Sequence, residues 1–142
     1  MTTRRVAVVG AGTMGHGIAY VATLAGCSVA LTDSRPEAIP PAIRRIGDLF
    51  TGGVKRGKLG EADVAAAAAR LRADRDLDSA VREADVVIEA VVEDLGAKQR
   101  LFAELERAAP ADALLATNTS SLSVAAIASG MRRPGGEYGT AR

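Results

Sequence analysis

Val6-Ala-Val-Val-Gly10-Ala-Gly-Thr-Met-Gly15-His-Gly17 is the stretch that decides the fold of this chain. Residues 6–9 are apolar throughout, which is typical of a strand buried on both faces in a parallel sheet. Glycines follow at once, and apolar residues with helical spacing continue from about Met14 to Ala25. A strand, a glycine-rich turn and a helix in this order predict the first unit of an α/β fold.

The rest of the chain repeats this alternation. Further strands are predicted at 28–32, weakly at 71–74, at 85–91 and at 113–117, and further helices at 41–50, 61–71, 77–83, 95–108 and 124–129. The pattern indicates a doubly wound parallel sheet (Rossmann fold) of about five strands, ordered 3-2-1-4-5. Residues 34–37 have the spacing of a helix capping box. Pro40 and Pro41 predict a break in the helix that would begin there, and residues 52–58 predict a basic, glycine-rich connection.

The glycines form the pattern G-x-G-x-x-G in its full context, between a strand and a helix. Gly10 allows a tight turn, Gly12 lets the backbone approach a pyrophosphate, and Gly15 lets helix and strand pack closely. The phosphates would then lie at the helix N-terminus, beside Thr13 and Met14, where backbone amides attract anions. A tight turn without a ligand is the less favoured alternative.

Asp33 stands at the end of the second predicted strand, 18 residues after Gly15. An acidic residue near this distance hydrogen-bonds the adenosine ribose in dinucleotide-binding folds. Its charge would repel a 2′-phosphate, which favours NAD over NADP. Arg35 weakens this preference because an arginine can accept a 2′-phosphate. Asp33 can also cap the next helix, and the two roles are compatible.

Composition restricts the function classes. A chain of 142 residues with 48% hydrophobic and 25% charged residues suits one globular domain. The net charge of +1 gives no reason to expect a nucleic-acid or membrane partner. We expect no targeting segment, no membrane span and no metal site. The single cysteine, Cys27, excludes an intrachain disulfide and suits a cytoplasmic location.

Three stretches together resemble the NAD-binding domain of the 3-hydroxyacyl-CoA dehydrogenase family, in particular the bacterial 3-hydroxybutyryl-CoA dehydrogenases. They are residues 8–18, residues 85–93 with Lys98, and residues 117–122, and the basic turn 56–59 adds to them. The likeness covers about residues 4–134. It implies NAD as cofactor, an acyl-CoA as substrate and a place in fatty acid β-oxidation.

The resemblance also implies individual roles. Glu93 and Lys98 match positions that contact the cofactor around its ribose and nicotinamide. Ser120 matches a serine that contacts the nicotinamide and the substrate, and so supports catalysis. Arg56 and Lys58 match the arm that meets the CoA phosphates. From the residues alone, Glu93 and Lys98 would be a solvated pair at a helix start, Ser120 part of a helix cap, and the basic turn equally well a solvated loop.

The catalytic histidine of the family and the glutamate that holds it have no counterpart. The histidine lies in a His-Phe-Phe-Asn-Pro segment soon after the serines, where this chain has residues 133–142 without a histidine. His16 lies in the phosphate-binding helix and is rejected as a base. We therefore expect a domain at 1–134, a disordered or non-native tail at 135–142, no sixth strand and no C-terminal helical domain. A homodimer is expected only with that domain.

Two functional hypotheses remain open. The chain is the cofactor domain of an NAD-dependent 3-hydroxyacyl-CoA dehydrogenase that is active when completed, or a truncated NAD-binding module without catalytic activity of its own. The family resemblance favours the first, and the missing histidine favours the second for this chain in isolation. A deliberate truncation, a frameshift and a split gene would each explain the missing segment.

Overall fold

A computed structural model describes residues 4–132 and 139–140 of the chain. The strands are β1 (Arg5–Val9), β2 (Ser28–Thr32), β3 (Leu71–Ala73), β4 (Val86–Glu89), β5 (Leu114–Thr117) and β6 (Gly139–Thr140). The helices are α1 (Thr13–Leu24), α2 (Ile39–Lys55), α3 (Glu61–Ala69), α4 (Leu77–Val81), α5 (Leu95–Ala108) and α6 (Val124–Ile127). Two 3-10 turns occupy Pro36–Ala38 and Ala128–Gly130. None of the described helices is long and apolar enough to cross a membrane.

The strands form one parallel sheet in the order β3-β2-β1-β4-β5-β6. The predicted order of the first five strands is therefore confirmed. In the central pairs, Val8 lies opposite Leu31 on one side and Ile88 on the other. The chain passes from β1 to β2 and β3 on one side of the sheet and then crosses to β4 on the other side of β1. The direction in which strands are added therefore reverses beside β1. Ligands of doubly wound sheets bind at the carboxyl ends of the strands at such a point.

The apolar residues of β1 serve two hydrophobic cores. Val6 and Val8 pack into a cluster that includes Ile46 of α2, on one face of the sheet. Ala7 and Val9 pack into a second cluster on the opposite face, which includes Phe102 of α5. Alternate residues of a strand point to opposite faces, so this strand is buried on both sides, as its continuous apolar run predicts.

The Pro40-Pro41 break lies at the start of a helix. The 3-10 turn Pro36–Ala38 leads into α2, and both prolines fall in its first turn. The amides of a first turn have no acceptor inside the helix, so prolines are tolerated there. The predicted capping box at residues 34–37 is wrong, because no side chain caps either helical start in this described segment.

Helix α2 is longer than predicted. It continues past Phe50 and across Gly52 and Gly53 to Lys55, so only the last part of 52–58 is a connection. A β-carbon on Gly53 would lie 2.5 Å from Leu59 Cδ1. The absence of a side chain at this position lets Leu59 pack against the helix, which offsets the low helix propensity of glycine.

The expectation that a sixth strand is absent is wrong. Gly139–Thr140 pairs in parallel with β5, with Gly139 opposite Ala116 and Thr140 opposite Thr117. The outer edge of β5 presents backbone amides and carbonyls that pair readily with an extended segment. Most of the predicted tail at 135–142 lies outside the described residues, so its disorder stays a prediction.

Candidate cofactor-binding site

The glycine turn between β1 and α1 is fixed by two glycines. Gly10 has φ +117°, and a β-carbon there would lie 2.4 Å from the carbonyl oxygen of Ala90. A β-carbon on Gly15 would lie 1.6 Å from the carbonyl oxygen of Gly10. Any larger residue at either position therefore requires the backbone to move. A β-carbon on Gly12 would meet none of the described atoms within 4 Å, so the backbone is open at Gly12.

The N-terminus of α1 is open to an anion. Gly12 is the N-cap, and within the described chain no side chain caps this end and no acidic residue occupies the first turn. The first amides of a helix lack intrahelical acceptors, and the helix dipole adds positive potential at this end. The Nδ1 atom of His16 lies 3.0 Å from the carbonyl oxygen of Gly12. The geometry suits a phosphate group beside Thr13 and Met14.

Asp33 lies directly against the glycine turn. Its Oδ2 accepts the Ala11 N–H at 2.8 Å, and its Oδ1 accepts the Arg35 N–H at 2.8 Å. The second bond stabilises the turn that follows β2. The expectation that Asp33 caps the next helix is wrong, because no side chain caps the 3-10 turn or α2 in this described segment. A carboxylate can accept about four hydrogen bonds, so two acceptor positions remain for hydroxyl groups of a ligand.

A cavity of about 440 Å³ adjoins this carboxylate. Its size falls in the range of small-molecule sites. It lies at the carboxyl ends of β1, β2 and β4, and is lined in part by Val9, Asp33, Val91, Val92 and Arg100. Carboxylate and apolar side chains thus share one depression, which suits a ribose attached to a flat apolar ring. A second cavity, of about 370 Å³, lies at the amino ends of the strands.

A buried ion cluster lies at the ends of β4 and β5. Glu89 and Lys98 both have fully buried side chains. The Lys98 Nζ lies 2.9 and 2.8 Å from the two Glu89 oxygens and 2.7 Å from Glu93 Oε1. Glu89 also accepts hydrogen bonds from the Val91 N–H at 2.7 Å and from the Thr117 hydroxyl. The interpretation of Glu93 and Lys98 as a solvated pair is therefore wrong for Lys98.

Glu93 connects this cluster to the serine loop, residues 118–122. Its Oε2 accepts the hydroxyls of Thr119 at 2.8 Å and Ser121 at 2.7 Å. Lys98 above all, and then Ser121 and Thr119, lower the pKa of Glu93 from 4.5 to about 2. Ser120, between the two anchored residues, is exposed. The loop is thus held on both sides of Ser120 by one carboxylate.

Sequence reasoning missed four residues of this cluster: Glu89, Thr117, Thr119 and Ser121. The signal for Glu89 was an acidic residue inside an otherwise apolar strand, nine positions before a lysine. A buried charge requires a partner, and that rule would have paired it with Lys98.

The structure brings most of the predicted site residues to one edge of the sheet. Gly10, Gly12, Thr13, Met14, Gly15, Asp33, Glu93, Lys98 and Ser120 all lie on or beside segments that follow the carboxyl ends of strands. Arg56 and Lys58 lie apart from them, in the connection after α2. Neither forms a hydrogen bond or ion pair with that edge among the described contacts, so their role in binding CoA stays a prediction.

The strand order, the glycine turn and the acidic residue after β2 together define a dinucleotide-binding Rossmann domain. Residues 5–140 match the sequence model of the family described as 3-hydroxyacyl-CoA dehydrogenase, NAD binding domain. The chain belongs to this family, and its cofactor is NAD.

Similar proteins agree with this assignment. A probable 3-hydroxybutyryl-CoA dehydrogenase of Bacillus subtilis is 37% identical over 134 residues, which are 94% of this chain and 46% of that protein. A 3-hydroxyadipyl-CoA dehydrogenase of Escherichia coli is 42% identical over 134 residues, or 94% of this chain and 28% of that protein. This chain therefore spans less than half the length of either relative.

Solved structures give the same result. The 3-hydroxybutyryl-CoA dehydrogenase from Escherichia coli K12 superimposes with a TM-score of 0.88 at 41% identity, covering 94% of this chain and 28% of that one. The (S)-3-hydroxybutyryl-CoA dehydrogenase from Ralstonia eutropha gives 0.85 at 32% identity, covering 90% of this chain and 45% of that one.

Proposed function

We propose that this chain supplies the cofactor domain of an enzyme that oxidises 3-hydroxyacyl-CoA to 3-ketoacyl-CoA. NAD, when bound, supplies the hydride acceptor. The observation that carries the proposal is the meeting of three features at one edge of the sheet. They are the open glycine turn, the Asp33 carboxylate beside a cavity, and the Glu93 carboxylate joined to the serine loop. The names of the relatives support an acyl-CoA as the substrate class.

In this proposal the two ends of the cofactor meet different residues. The turn from Gly10 to Gly15, including Gly12, Thr13 and Met14, holds the pyrophosphate, and Asp33 holds the adenosine ribose. Glu93 and Ser120 face the nicotinamide half. Lys98 is fully buried, so it acts on that half through Glu93, whose side chain is 38% exposed.

The preference for NAD over NADP depends on Asp33. Two backbone amides fix its carboxylate beside the glycine turn, and its negative charge opposes a 2′-phosphate. Asp33→Ala should weaken NAD binding about tenfold, the scale of a lost hydrogen bond to a charged group. It should also reduce the difference in affinity between NAD and NADP. Calorimetric titration of the 142-residue chain with both cofactors measures this.

The matched control for Asp33→Ala is Asp85→Ala. Asp85 likewise accepts a backbone N–H, that of Arg5 at 2.8 Å, but it lies at the amino end of β4. The Asp85→Ala substitution should leave the affinities for NAD and NADP unchanged. Equal affinities of the original chain for NAD and NADP would contradict the role of Asp33.

A module that holds NAD without turning over substrate is the second candidate. The sequence contains one histidine, His16, and its ring is hydrogen-bonded at the glycine turn. We expect no other described residue to activate the substrate hydroxyl, since a general base must lie within about 2.6–3.2 Å of it or one water away. We therefore expect no NADH from 3-hydroxybutyryl-CoA and the isolated chain. Turnover after fusion of a family C-terminal portion behind residue 134 would separate the two candidates.

The remaining expectations belong to the same proposal. Arg56 and Lys58 are expected to meet the CoA phosphates, because cations suit that group. A homodimer is proposed for an enzyme that combines this domain with the family's C-terminal domain. A cytoplasmic location is proposed because the single cysteine forms no intrachain disulfide.

A further inference from the structure

Glu89 is a costly residue for its position in the sheet. Its neighbours in register are Val9 and Thr117 in the two adjacent strands, and its side chain is fully buried. Replacing a buried ion pair by apolar residues of similar volume often leaves the stability of a protein unchanged or raises it. The fold of β4 therefore does not require a carboxylate there, and its presence calls for another explanation.

We propose that Glu89 is a positioning residue that acts through Lys98 on Glu93, and so holds the serine loop where the nicotinamide half of NAD binds. This inference rests on the proposed function. Glu89 itself touches neither cofactor nor substrate, because it is covered by the ends of β4, β5 and α5.

The hydrogen bonds show how the position of Glu89 determines the position of Glu93. A lysine ammonium has three donors, and Lys98 Nζ reaches both oxygens of Glu89 and one oxygen of Glu93. All three N–H donors of the lysine are therefore engaged, and the two hydrogen bonds to Glu89 set the direction of its side chain. Glu93 is then oriented so that its second oxygen accepts the hydroxyls of Thr119 and Ser121.

Glu89 is in turn fixed by the backbone. The Val91 N–H donates to Oε2 at 2.7 Å, and the Thr117 hydroxyl donates to Oε1. A continuous set of hydrogen bonds thus runs from the core of the sheet to both neighbours of Ser120. Charged hydrogen bonds in such a dry site are stronger than those in water, so the carboxylate of Glu89 sets the orientation of the whole cluster.

The test compares NAD with ADP. ADP retains the pyrophosphate and the adenosine, which the glycine turn and Asp33 are proposed to hold, and lacks both the nicotinamide and its ribose. Glu89→Gln keeps the shape of the side chain and removes its charge. We expect this variant of the 142-residue chain to bind NAD about tenfold more weakly. Its affinity for ADP should change by less than about twofold.

Two further variants separate positioning from stability. Asp85→Asn alters a carboxylate at the opposite end of β4, where it accepts only the Arg5 N–H among the described contacts, and should change neither affinity. The double variant Glu89→Gln/Lys98→Met leaves no unpaired charge in the core. It should unfold at a higher temperature than Lys98→Met alone and still show the selective loss of NAD affinity.

The outcomes are distinguishable. If the original chain binds neither NAD nor ADP, the proposed function fails. If it binds both, and Glu89→Gln and the double variant keep the original ratio of the two affinities, the positioning role of Glu89 fails while the proposed function stands. An equal loss for both ligands also overturns the inference, since that is the result of general destabilisation.

Discussion

The two halves of the crevice are built from different parts of the chain. At β1 and β2 the site consists mainly of backbone: Gly12 leaves space, the start of α1 offers amides, and Asp33 is held by two backbone N–H groups. At β4 and β5 it consists of side chains, arranged around the buried ammonium of Lys98. The two halves therefore differ in which groups make the contacts rather than in sequence distance, since their longest hydrogen bonds join residues 22 and 28 positions apart.

The largest effect is expected in the side-chain half. Lys98→Met leaves the carboxylate of Glu89 buried without its cation. Removing one partner of a buried pair typically costs about 3–5 kcal/mol, a large fraction of the stability of a small domain. The free energy of unfolding, measured with urea, should fall by this amount.

Lys55→Met is the control for that measurement. Lys55 is exposed in the last turn of α2, where its charge interacts only with the helix dipole among the described contacts. The free energy of unfolding of this variant should fall by less than about 1 kcal/mol. Equal losses for the two variants would mean that the ammonium of Lys98 is not buried in solution.

Most of the fold could be predicted because its signals are local. The apolar run of β1 and the glycines after it identify the first strand, turn and helix without reference to the rest of the chain. The extent of α2 could not be predicted, because its passage through Gly53 depends on packing against Leu59. The two-residue β6 was also missed, since glycine and threonine carry no periodic pattern over so short a stretch.

The candidate site divides in the same way. The glycine turn and Asp33 were predicted from spacing, because the motif fixes backbone geometry. Glu93, Lys98 and Ser120 were expected only from the family resemblance. Glu89 was passed over as part of an apolar strand. Its charge pointed to Lys98 nine positions later, but no pattern in the sequence shows its contact with Thr117 in the neighbouring strand.

A smaller effect, mainly on binding, is expected in the backbone half. Gly12→Ala introduces a methyl group into space that is free of described atoms, in an extended backbone conformation with negative φ. Stability should fall by about 1 kcal/mol at most, because alanine is a poorer N-cap residue than glycine. NAD affinity should fall at least about tenfold, equal to about 1.4 kcal/mol, because the methyl group occupies the approach of the pyrophosphate.

Gly17→Ala is the matched control, because Gly17 lies in the same helix, five residues after Gly12. A β-carbon at Gly17 also meets no described atom within 4 Å. It should raise stability by about 1 kcal/mol, since alanine favours a helix, and leave NAD binding intact. Unchanged NAD affinity in Gly12→Ala would contradict the backbone interpretation of the phosphate site.

The smallest effect concerns the acid titration of Glu93. Its pKa is lowered from 4.5 to about 2, first by Lys98 and then by Ser121 and Thr119. A carboxyl group with a lowered folded-state pKa stabilises the fold above its unfolded pKa, and this contribution disappears as the pH falls through the folded value. Glu93→Gln should therefore unfold at a lower temperature than the original chain above pH 4.5, and the difference should shrink between pH 4.5 and 2. Thermal unfolding at several pH values measures it. A difference that is independent of pH in this window would show that Glu93 contributes through packing rather than through its charge, and would weaken the contrast between the two halves of the crevice.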